Sequence, residues 1–185
     1  MKKILIIAAL LMTAFVCGAG AQTEQQKLTK EERKAVQQQM DSVLHAEAVQ
    51  AIADSAFTLE ADYVVFKNGE RVFVTSNTNF VSVDKRRATV QIAFNIPSGG
   101  LNGMGGVTVD GYMNNYRTST DKKGATWVKA YVTGVAMSSQ FTIQLLPKSN
   151  KARIEVVSNF NSRRITLEGH ILPRDKSFVI KGNSI

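Results

Sequence analysis

The apolar and polar positions of the chain change period twice. After Lys2 and Lys3, an apolar run of about 13 residues, with Thr13 its one polar member, extends from Ile4 to Val16, and Ala19-Gly20-Ala21 follows ahead of Gln22. This is the pattern of a charged n-region, a short h-region and a small-x-small cleavage site. The run is well short of the roughly 20 residues that cross a bilayer, and no other stretch approaches that length, so no transmembrane segment is expected. Residues 1–21 are therefore expected to be a signal peptide, cut after Ala21. The polar stretch Gln22–Lys27 has no pattern and reads as a leader.

A helical period follows. Thr29-Lys30-Glu31-Glu32 is a capping box, in which the threonine hydroxyl and the glutamate three residues later satisfy free backbone donors. Val36, Met40, Val43, Leu44 and Ile52 recur on one face of a predicted amphipathic helix, and the domain that follows is expected to cover that stripe. Residues 22–55 thus form a leader and one helix.

From Phe57 the period becomes 2. Phe57, Leu59, Ala61, Tyr63 and Val65 alternate with Thr58, Glu60, Asp62 and Val64, and Lys67-Asn68-Gly69-Glu70 signals a tight turn. Further strands are predicted in Val72–Val83, over Ala88–Ile96, from Val107, over Thr126–Thr133, over Met137–Leu145, at Ile154 and Val156, and over Ile165–Ile171. The connections are too short for parallel crossovers, so the sheet is antiparallel. Residues 56–185 are expected to be a mainly β domain, an antiparallel up-and-down β-barrel with the helix across one end or along its side, or alternatively a two-sheet β-sandwich. The bulky inward set (Val90, Ile92, Phe94, Phe141, Ile143, Leu145, Ile154, Val156) is sufficient to fill a barrel. It points to a site at the mouth or on the surface instead of a deep cavity.

Four segments, Ser55–Ala61, Asn79-Phe80-Val81, Val90–Ala93 and Gly103–Gly111, together resemble the bacterial domain of unknown function family 4251. The resemblance spans about Asp54 to Pro173. It implies a lipocalin-like barrel in an exported, envelope-associated protein of gut-type Gram-negative bacteria, and it brings no activity, substrate or catalytic residue.

Charge and composition narrow the chemistry. The net charge of +8 falls to about +6 once Lys2 and Lys3 leave with the signal, which favours anionic lipids or acidic polysaccharide only non-specifically. The one cysteine, Cys17, lies in the signal. The expected mature chain therefore has no thiol chemistry, and the bulky Ala14-Phe15-Val16 ahead of Cys17 argues against a lipoprotein anchor. Export to the periplasm or beyond excludes nucleic acid as a partner. His45 and His170 are the only histidines and read as solvated surface residues, too few for a metal site. No metal, cofactor or catalytic residue is assigned.

Ser98–Gly106 is glycine-rich, but a strand follows it and no Gly-Lys-Ser/Thr closes it, so it is not a phosphate loop. It is expected to be a mobile hairpin loop beside whatever site exists, its glycines supplying positive φ. Glu60 and Asp62 share one side of a strand, about 7 Å apart, where two carboxylates could do glycoside chemistry or simply face water. Trp127, Lys129 and Tyr131 share one face, and Tyr112, Asn114 and Tyr116 another, as sugar-stacking rows or as ordinary cross-strand support. Lys85-Arg86-Arg87, Lys122-Lys123, Lys148 with Lys151, Arg163-Arg164 and Arg174 with Lys176 collect at turns that need not share one end. The functional expectation is a non-catalytic envelope protein that binds a hydrophobic or glycan-like ligand or another envelope protein. The alternatives are a structural adaptor docking through its helix and a carboxylate-dependent hydrolase.

Overall fold

The computed structural model describes residues 29–94, 101–135, 138–159 and 164–185. The expected signal peptide and leader, the segment 95–100 and Met137 lie outside the described residues. The chain divides into two compact units, residues 1–33 and 34–185. The described part of the first is the capped start of helix α1 (Lys30–Ala53). There Glu32 N donates to Thr29 Oγ1 at 3.2 Å and Thr29 N to Glu32 Oε2 at 2.8 Å, the reciprocal capping the sequence predicts.

The second unit is a closed antiparallel barrel. Its strands are β1 (Ala56–Phe66), β2 (Arg71–Phe73), β3 (Phe80–Asp84), β4 (Arg87–Ala93), β5 (Gly106–Thr120), β6 (Thr126–Thr133), β7 (Ser138–Leu145), β8 (Lys151–Ser158) and β9 (Arg164–Pro173). Neighbours in sequence pair in order from β3 to β9, β3 pairs with β1, and β1 pairs back with β9. Eight strands therefore form the ring, and the β-sandwich alternative falls away. The ninth, β2, hangs on the far half of β1, beside Tyr63–Val65, where β3 no longer reaches.

The interior is filled, as the bulky inward rows predict. Phe57, Leu59, Val81, Val83, Phe141, Ile143, Leu145, Ile154, Leu167 and Ile171 are fully buried, each stabilising the fold by about 1.5–3 kcal/mol. Strand β1 departs from simple alternation. A bulge between Ala61 and Tyr63 makes Asp62 the extra residue, and the phase shifts by one. Val64, predicted outward, is buried at 0 % exposure, and the predicted inward row Tyr63 and Val65 turns out. Strand β4 stops at Ala93, and Phe94 lies partly exposed beyond it.

Helix α1 meets one end of the barrel through its second half, where Ala48, Ala51 and Ile52 are buried. The two alanines permit close approach and share the contact face with Ile52; the predicted stripe included Ile52 but not the alanines. Val36, Met40 and Val43, expected to be covered, are more than half exposed. Three polar contacts fix the helix: His45 Nδ1 donates to the Ser149 carbonyl at 2.8 Å, the Tyr116 hydroxyl to the Ile52 carbonyl at 2.6 Å, and Lys176 Nζ to Glu47 at 2.7 Å. His45 is thus an anchor and not a solvated histidine. After β9, a short 3₁₀ turn (Arg174–Lys176) leads into residues 177–185, an extended strap along the outer wall of β3, β4 and β5.

Candidate functional site

At the barrel end away from α1, the apolar rows run out before the barrel does. Phe66 closes β1, Val156 and Ser158 close β8, and Ile165 opens β9; these line a recess of about 770 Å3. The Phe94 ring stacks on Phe66 with centroids 5.9 Å apart. The bulge at Asp62 carries this arrangement, because it puts Phe66 in phase with the buried Val64. The rim is polar. In the β1–β2 turn Gly69 takes φ +87°, a left-handed conformation that favours glycine, and Asn68 Oδ1 accepts from Glu70 N at 3.1 Å. That turn holds Lys67, Asn68 and Glu70 over the recess, and Arg164 stands across from them with Glu155 at 3.5 Å. Among the described residues Lys67 pairs with no carboxylate. An apolar pocket with two cations at its edge suits an amphiphile that carries a negative head.

The glycine-rich connection joins β4 to β5 at this same end. Its residues 95–100 lie outside the described residues. The remainder is packed by Asn102, which is 2 % exposed. Its Oδ1 accepts from Met104 N at 2.9 Å and Gly106 N at 3.0 Å, and its Nδ2 donates to Thr108 Oγ1 at 3.2 Å. Gly103 and Gly105 take the positive φ expected of them, but over 102–106 a tied turn replaces the expected loose loop.

Other sequence candidates disperse. Glu60 accepts from Ser177 Oγ at 2.8 Å and Phe178 N at 3.3 Å, whereas Asp62 turns to His170 Nδ1 at 3.1 Å. The bulge between them gives each carboxylate its own partner, so the pair does not converge on one cleft. His170 is accordingly a surface partner of Asp62. Tyr112 and Tyr116 do not share a face, because β5 is irregular between Asn114 and Arg117. Tyr112 stays exposed, and Tyr116 is half-buried near the helix, where desolvation pushes its pKa up to about 12. Trp127 donates from Nε1 to Asp121 at 3.0 Å and so buttresses the β5–β6 turn. Four of the five basic clusters lie at the helix end, at the β3–β4, β5–β6 and β7–β8 turns and after β9. Alternation of turns had argued against this; only Arg164 of the fifth cluster is described, and it lies at the mouth. Asp84 and Glu47 partly neutralise that end through Arg174 and Lys176.

Residues 23–171 match the family described as "Domain of unknown function (DUF4251)". Among curated proteins none matches the chain. The barrel is similar to the crystal structure of a DUF4251 family protein from Bacteroides eggerthii DSM 20697, with 45 % sequence identity and a TM-score of 0.65, over 76 % of this chain and 94 % of that one. The family match begins ahead of the helix and ends before the strap, so helix and barrel together are the shared unit. On this sequence match and this structural likeness, the chain belongs to the DUF4251 family, whose function is undefined.

Proposed function

We propose that this protein is a non-catalytic binding protein of the cell envelope that seats the apolar part of an anionic amphiphile in the barrel mouth. The observation that carries this reading is the recess lined by Phe66, Val156 and Ile165 beneath a polar rim that holds Lys67 and Arg164 together with Glu70, Arg164 being shared with Glu155. An acyl chain placed there would remove apolar surface from water at about 25 cal/mol per Å2, and its carboxylate or phosphate would meet the two cations. The signal-like N-terminus supports the envelope location. Titration with dodecanoate, followed by calorimetry, tests the reading. Saturable binding that weakens in K67E/R164E and disappears for dodecane-1-ol-sized neutral chains supports a charged-headgroup site; absence of binding by dodecanoate and by lysophosphatidylglycerol overturns it.

A second reading has its own support. Val36, Met40 and Val43 form an exposed apolar stripe on the first half of α1, the kind of face an adaptor presents to a partner helix. A V36E/M40E variant that keeps ligand binding but loses envelope co-purifying proteins would favour the adaptor.

A further inference from the structure

The strap has sealed a polar wall. Gln91 and Thr108 point outward from β4 and β5, yet both are 0 % exposed, because residues 180–185 lie over them. Gln91 Nε2 donates to the Ile180 carbonyl at 2.7 Å, and Gln91 Oε1 accepts from Gly182 N at 2.8 Å and from Thr108 Oγ1 at 2.8 Å. Gly182 is required at this point: a Cβ there would stand 2.5 Å from the Asn102 carbonyl oxygen. On either side of Gly182 the strap is held by Asp110, which accepts from Lys181 Nζ at 2.7 Å and Ser184 Oγ at 2.7 Å.

Alongside the strap the wall stays open as a groove of about 620 Å3. It has hydroxyls on its floor, Ser82 and Thr89, and the exposed Tyr112 ring on its flank. Three cations face it. Arg174 is matched by Asp84 at 3.3 Å and Lys181 by Asp110, but Arg87, directly across the β4–β5 ladder from Tyr112, has no carboxylate within ion-pair distance among the described residues. An aromatic face, a free guanidinium and, in Asp84, a carboxylate with acceptor capacity to spare make a specific combination. The ring suits the apolar face of a sugar, the guanidinium takes a carboxylate in bidentate fashion, and Asp84 accepts from ring hydroxyls. Phosphate offers neither a ring face for Tyr112 nor ring hydroxyls for Asp84, so it serves as the probe for attraction by charge alone.

We propose that the groove between the strap and the β3–β5 wall binds an acidic saccharide, with a uronate carboxylate on Arg87 and a sugar ring against Tyr112. This site is on the outer wall and stands independently of the amphiphile reading for the mouth. It is tested by titrating the full chain with trigalacturonate, maltotriose and inorganic phosphate, observed by amide chemical shifts. Trigalacturonate is expected to shift the amides of β4, β5 and the strap, with R87Q weakening it about tenfold or more, as loss of a charge-assisted pair does, and Y112A weakening it independently. K67E, at the mouth, should leave it unchanged. Equal binding of maltotriose, equal or tighter binding of phosphate, an unaltered R87Q affinity in a protein of unaltered thermal stability, or no shifts with trigalacturonate at millimolar concentration would each overturn the proposal.

Discussion

His45 and Ser149, far apart in sequence, are joined by a single 2.8 Å hydrogen bond from the imidazole Nδ1 to the peptide carbonyl, and this bond seats the middle of the helix on the β7–β8 turn. Tyr116 does the same for the helix end through the Ile52 carbonyl. Each bond is partly buried, and a bond of this kind contributes about 1 kcal/mol net. H45A and Y116F are therefore each expected to lower stability by roughly that amount, and because the two contacts hold one element their double variant should deviate from additivity. Urea unfolding of the four proteins checks this; strictly additive losses would show that the helix is not held as one body.

Gly169 sits where β9 closes the ring on β1. It opposes Ala61 across the ladder, and a Cβ there would stand 1.9 Å from the Glu60 carbonyl oxygen, a backbone atom that cannot move without breaking the ladder. G169A is expected to destabilise by several kcal/mol, roughly 3 or more, as steric strain at a fixed backbone does. Thermal melting followed by circular dichroism reads it out. A melting temperature within a degree or two of the parent would mean that the closing strands tolerate separation.

Gln91 is the hub of the strap's attachment, satisfying the Ile180 carbonyl and the Gly182 amide at once. Q91L would strip both of partners beneath a covered surface, at about 1–3 kcal/mol for each group left unsatisfied. The expected result is local release: the amides of Ile180, Gly182 and Asn183 lose hydrogen-exchange protection while those of β7 keep theirs. Unchanged exchange at Gly182 would show that the strap holds without Gln91.

Asp110 holds the strap by charge, and its burial alone would raise its pKa. Hydrogen bonds from Lys181, Thr89 and Ser184 outweigh that and place the folded value below the ordinary 3.8. A carboxyl with a depressed folded pKa binds protons more readily when released, so its contribution is complete above the ordinary value and is lost as pH falls through the folded one. Strap protection is therefore expected to be flat from neutrality to about pH 5 and to fall only in stronger acid, and D110N should remove the acid-side change. An onset near pH 6 would point to a different group.

The barrel was legible because its inward rows keep strict period 2 over β3, β4, β6, β7 and β8, and the capping box marked the helix start. Three things were not. The bulge at Asp62 is invisible to alternation, since Tyr63, Val64 and Val65 are all compatible with either face, and on it depend both the mouth lined by Phe66 and the parting of Glu60 from Asp62. The helix contact rests on Ala48 and Ala51, which a search for large apolar residues passes over. The strap has no period of its own: Phe178, Ile180 and Lys181 look like an unpatterned tail, and only the burial of Gln91 and Thr108 reveals that something covers that wall.

Strand β1 bears β9 along nearly its whole length, β3 on its first half and β2 on its second. Its pairing with β9 joins the beginning of the β domain to its end, so that flank has no partner until almost the whole β domain is at hand. The other ladders join strands adjacent in sequence or, for β1 and β3, strands separated only by the short β2, and carry a low loop-closure cost; this one carries nearly the maximum. Loop-closure entropy alone therefore makes this ladder the one expected to form last. A sheet not yet closed there would present both β1 and β9 as free edges, each a template for pairing with a second chain.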